Sequence, residues 1–111
     1  MEKRKKEIFF ENEEEALKLL NSSREQIDEI DNKLIDLIYN RTSLAKDIVF
    51  AKQYLNMEIL DKAREKSIQD KVNKLAADKN IDEDILKEIM NMLTILSKNE
   101  QKEILRRNEN G

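Results

Sequence analysis

From Asn12 to about Leu55, apolar residues return every three or four positions, the period that gathers them on one face of an α-helix. Written as heptads, position a holds Leu20, Ile27, Leu34, Arg41, Ile48 and Leu55. Position d holds Ala16, Ser23, Ile30, Leu37, Leu44 and Ala51, and position e holds Leu17, Arg24, Asp31, Ile38, Ala45 and Lys52. Such an a/d/e stripe belongs to a helix with one side turned to a core. Asn12 followed by Glu13, Glu14 and Glu15 has the form of a helix start, a capping amide with acids in the first turn. "NMEILD" interrupts the period, and Asp61 stands ready to cap a second helix over roughly residues 62–77. "DKNID" then supplies a turn in which Asn80 suits the left-handed conformation. Asp82 caps a third helix, predicted to run to about Arg107. The expectation is an all-α chain of three helices, one very long and two shorter. A flexible segment covers residues 1–12, one helical domain residues 13–107, and a frayed end residues 108–111.

The length of the first helix carries its own consequence. About 43 residues at 1.5 Å each span roughly 65 Å. A compact domain of this chain length is only about 35 Å across. The far half of the stripe therefore needs apolar cover from another chain, unless the helix kinks back on itself as a hairpin. An intertwined homodimer is the economical arrangement.

Polar residues interrupt the stripe at Arg24, Asp31, Arg41 and Lys52. At 100° per residue, Arg41 and Lys52 fall within about 20° of each other and about three turns apart. Arg24 sits roughly 100° away around the axis from Arg41, and at least about 25 Å along it. One straight helix does not bring all three to a single site, but an antiparallel pairing brings the Arg24 end of one chain near the Lys52 half of its neighbour. Two readings stand at this point. Long cations on an apolar stripe snorkel or form interhelical ion pairs, with Asp31 as one available partner, or they face a negatively charged ligand. The later helices carry similar intruders. Asp61, Arg64 and Glu65 stand at the start of the second helix. Ser97 and Gln101, one turn apart, share a face with Met90, Leu93 and Ile104 on the third.

Composition narrows the chemistry. Charged residues make up 41% of the chain, against about 25% in an average domain. Proline is absent and the single glycine is Gly111, which favours helices throughout. No cysteine and no histidine are present, so thiolate chemistry, nucleophile–histidine catalysis and most transition-metal sites are excluded. No metal and no cofactor are expected. A net charge of −3 argues against a nucleic-acid partner, which calls for a basic surplus. The opening "MEKRKKEIFF" has too short an apolar run for a secretory core or a membrane span, and a soluble, cytoplasmic protein is expected. The remaining inventory is a pocket of cations and amides with one or two carboxylates. It suits a small polyanion whose reaction needs holding and charge stabilisation rather than covalent help.

These residues resemble a known family. The run "REQIDEIDNKLIDLI", continued by Arg41, "LAKDI" and Lys52, resembles the long first helix of the AroQ-type, all-helical chorismate mutases. "DKAREK" on the second helix and "SKNEQ" on the third continue the resemblance, which covers about residues 20–106. It implies an isomerase that rearranges chorismate to prephenate on the route to phenylalanine and tyrosine, monofunctional and without a cofactor. It further implies that Arg41 and the partner's Arg24 clamp the substrate carboxylates, while Lys52 and Gln101 donate to the ether oxygen. Glu65 would accept from the ring hydroxyl, helped by backbone near Asp61. Ser97 would support a carboxylate, and Arg64 would line the entrance.

Two rivals remain on the sequence. Isochorismate-pyruvate lyases share the fold, but resemble this chain less at the second helix, where "DKARE" is intact here. A non-catalytic helical dimer binding an aromatic-pathway acid is the rival from another class.

Overall fold

The computed structural model describes residues 9–110 of the chain. Among them lie four helical segments, α1 (Glu13–Ser43), α2 (Ala45–Tyr54), α3 (Lys62–Lys79) and α4 (Glu83–Asn110), and no strand. The first two make up the long helical pass expected from the stripe. Only Leu44 separates them, and its backbone is itself right-handed helical, at φ −72° and ψ −10°. The Leu44 N–H reaches the Arg41 carbonyl, three residues back, at 3.2 Å, after which Ile48 resumes the four-residue spacing onto Leu44. The Ser43 hydroxyl donates to the Tyr39 carbonyl at 2.8 Å, sharing an acceptor of the helix ladder, and such back-bonding perturbs helices locally.

Each boundary has a chemical cause. Asn12 Oδ1 accepts from the Glu15 N–H at 3.0 Å, and the Glu15 carboxylate reaches back to the Glu11 N–H at 3.1 Å, a reciprocal cap that satisfies two free donors. Asp61 and Asp82 cap α3 and α4 by accepting from Arg64 and Ile85, each at 3.0 Å. Asn80 adopts the left-handed conformation (φ 59°), with its N–H on Ala77 and that of Ile81 on Ala76. The same closure ends α2, a feature the sequence reading did not anticipate. There Asn56 is left-handed (φ 61°), its N–H bonds Gln53, and the Met57 N–H bonds the Lys52 carbonyl at 2.7 Å. Two asparagines thus perform the helix-ending task usually given to glycine. The last helix extends to Asn110 rather than stopping near Arg107. The expectations for residues 1–8 and for Gly111 lie outside the described residues.

The chain divides into two compact units, Met1–Asp36 and Leu37–Gly111. In the first, the apolar stripe is open: Leu17, Leu20, Ile27, Ile30 and Leu34 are all exposed, Ile30 by 60%. In the second, α4 packs against both α2 and α3. Ala45 and Val49 from α2, with Val72 and Ala76 from α3, form its fully buried apolar core. That core is thin. Burying a valine contributes about 1.5–3 kcal/mol, and Ile85, Ile89 and Met92 on α4 stay exposed. No helix among the described residues is long and apolar enough to cross a membrane.

Candidate active site

Where the ends of α1 and α2 and the start of α3 come together with the middle of α4, the second unit forms a partly open cavity of about 320 Å³. Seven of the eight residues singled out from the sequence line it: Arg41, Lys52, Asp61, Arg64, Glu65, Ser97 and Gln101. The eighth, Arg24, is exposed in the first unit and is not among the lining residues. Asp31 is also exposed, and none of the described ion pairs includes it.

Lys52 is one of two buried polar residues in the lining. It lies in the last turn of α2 and is only 9% exposed. Its Nζ donates to the Ile59 carbonyl at 2.6 Å and to Gln101 Oε1 at 3.2 Å. The left-handed turn at Asn56 folds residues 57–61 back over the helix end and so brings the Ile59 carbonyl within reach. An ammonium group has three donors, and these contacts engage two. Both acceptors are neutral, and none of the described ion pairs gives Lys52 a carboxylate. A buried cation held by dipoles alone is costly unless an anion completes its surroundings.

Gln101 is the other buried polar residue, 3% exposed. Lys52 can only donate, so it fixes the amide orientation with Oε1 towards it. Gln101 Nε2 then donates to Ser97 Oγ at 3.2 Å and keeps its second hydrogen for another acceptor. Lys52, Gln101 and Ser97 form one chain of hydrogen bonds, and no buried side-chain nitrogen or oxygen among the described residues lacks a partner. Arg41, half-buried at the end of α1, spends one guanidinium nitrogen on the Leu93 carbonyl at 3.0 Å. That bond pins the side chain across α4, and among the described residues its other donors make no hydrogen bond.

The lining carries four cations, Arg41, Lys52, Arg64 and Lys98, against two carboxylates, Asp61 and Glu65. One oxygen of Asp61 is engaged as the α3 cap, and Glu65 pairs with Lys98 at 2.9 Å. Among the described ion pairs, Arg41, Lys52 and Arg64 have none. The surplus of positive charge matches a guest with two negative charges. Ile48, Ile59 and Ile68 supply apolar wall, which lowers the local dielectric and strengthens each charge interaction. No cluster of metal-ligating side chains occurs among the described residues.

Sequence reasoning missed Lys98 and Thr94. Both follow Met90 at four-residue steps, so the helical period includes them. A lysine beside a stripe is usually solvated, so the period alone does not single out Lys98.

Residues 23–102 match the family model described as chorismate mutase type II. A chorismate mutase from Methanocaldococcus jannaschii is 44% identical over 87 residues, covering 78% of this chain and 88% of that protein. A family match over most of the chain, a relative of that identity and an all-helical fold agree with the resemblance carried by the cationic motif: the chain belongs to the type II chorismate mutases.

Proposed function

We infer that this chorismate mutase works in the cavity around Lys52, converting chorismate to prephenate for phenylalanine and tyrosine synthesis. The reaction is an isomerisation in which a C–O bond breaks as a C–C bond forms. It consumes no second reactant, so the protein has only to select the reactive conformer and stabilise charge that grows on the ether oxygen. One observation carries this reading best: a buried ammonium beside a buried amide, both with unspent donors, in a cavity of surplus positive charge.

In this reading Lys52 and Gln101 each donate to the ether oxygen from opposite sides, and Lys52 also touches a carboxylate. Arg41 grips a carboxylate through its free guanidinium donors, with Ser97 in support. Glu65 accepts from the ring hydroxyl, backbone near Asp61 assists, and Arg64 lines the entrance. A homodimer completes the site by bringing in the partner's Arg24. The exposed stripes on α1 and α4 and the thin core of the second unit support that assembly, since apolar patches of this kind mark protein interfaces. Residues 13–107 make up the catalytic domain, and a cytoplasmic setting suits the pathway.

Incubating the purified chain with chorismate is expected to consume it and yield prephenate well above the spontaneous rate. Isochorismate is expected to give no salicylate and pyruvate. Binding of chorismate without conversion would instead identify a non-catalytic sensor. A sizing measurement on the same sample is expected to report a dimer.

A further inference from the structure

Among the described ion pairs, Lys98–Glu65 is the one that joins two helices; the others are formed within single helices. Its Nζ–Oε2 distance is 2.9 Å, and the two side chains are 26% and 32% exposed. Glu65 sits in the first turn of α3, Lys98 on the facing side of α4, and both line the main cavity. Oε2 makes this contact, and none of the described side-chain hydrogen bonds engages Oε1, which is an acceptor in its own right.

Glu65 also borders a second, smaller cavity of about 40 Å³, which it shares with Gln69, Lys87 and Asn91. Glu65 therefore borders both cavities, with Lys98 among the residues of the main one and Lys87 among those of the minor one. Lys87 is loosely engaged, 3.9 Å from Glu83, and can accept a new carboxylate. A glutamate side chain has rotamers enough to turn from one cavity to the other.

We propose that Lys98 is a positioning residue that holds the Glu65 carboxylate in the main cavity, with one oxygen presented to the ring hydroxyl of the substrate. The proposal rests on the reading of Glu65 as acceptor for that hydroxyl. Lys98 itself makes no contact with the reacting atoms. Its loss releases Glu65 towards Lys87, and the hydroxyl loses its acceptor in both the bound and the transition state. Uniform loss of binding of this kind raises KM more than it lowers kcat.

A double-mutant cycle tests this, with kcat and KM on chorismate measured for Lys98→Met, Glu65→Ala and the pair. Lys98→Met keeps the aliphatic stem and is expected to lower kcat/KM about tenfold, chiefly through KM, within the range of coupling for residues in contact. In the Glu65→Ala background the same change is expected to have no further effect, and Lys98→Arg is expected to restore most of the loss. A Lys98→Met protein with wild-type kcat/KM overturns the proposal, as does an equal loss with and without Glu65, which marks Lys98 as a general attractor for a dianion. If Glu65→Ala is itself as active as wild type, the reading of Glu65 fails, and the role of Lys98 fails with it.

Discussion

Lys52→Ala is expected to lower kcat on chorismate by at least about a hundredfold, the cost of removing one donor aimed at a developing negative oxygen. The expectation follows from where the ammonium lies. It is buried, it is tethered by two neutral acceptors, and it keeps one donor unspent. Because it is already fixed and desolvated, little reorganisation is needed as charge develops beside it. The substitution also leaves the Ile59 carbonyl and Gln101 Oε1 without their donor, at a cost of about 1–3 kcal/mol for each that stays buried and unpaired. Turnover is therefore measured below the variant's own melting temperature, with saturating substrate. A folded Lys52→Ala protein that turns over within a few-fold of wild type would remove Lys52 from the chemistry.

Gln101→Glu is expected to reduce kcat near neutral pH by about a hundredfold, for the same reason, and to recover it as the pH falls. The amide donates at any pH. A glutamate in its place donates only when protonated, and ionised it pairs with Lys52, taking from the ether oxygen both donors at once. Descending pH raises the protonated fraction, so the variant gains activity towards acid while the wild-type amide has no such dependence. Gln101→Ala provides the control, expected to be slow across the whole range. Recording kcat from about pH 8 to about pH 5, across the upper part of carboxylate titration, separates the three proteins. A Gln101→Glu profile parallel to wild type would show that this position does not donate to the reacting oxygen.

Much of this arrangement was legible in the residues because helices convert spacing into direction. Arg41 and Lys52, eleven positions apart, do line one cavity, as 100° steps require, and Asp61, Asn80 and Asp82 end or start helices where their side chains suit. The break at Leu44 was not legible. Beside it the Ser43 hydroxyl turns to the Tyr39 carbonyl, a choice among local hydrogen bonds that no apolar period records. Nor did the sequence reading anticipate that Asn56 closes α2 and delivers the Ile59 carbonyl to Lys52, since "NMEILD" gives only an interruption. Lys98 escaped for a different reason. Its charge is neutral evidence on an exposed face, and only the facing of α3 and α4 gives it a partner.

The central claim is that cations from two subunits meet around one dianionic substrate, and mixing two inactive chains tests it most directly. An Arg24→Ala chain and a Lys52→Ala chain are each expected to be nearly inactive alone. Co-refolded in equal amounts, half of the dimers are mixed, and each mixed dimer has one site with both residues intact. The mixture is therefore expected to regain about a quarter of wild-type activity, by the two-fold arithmetic of a symmetric dimer. Activity no higher than that of the separate chains would contradict a site shared between subunits.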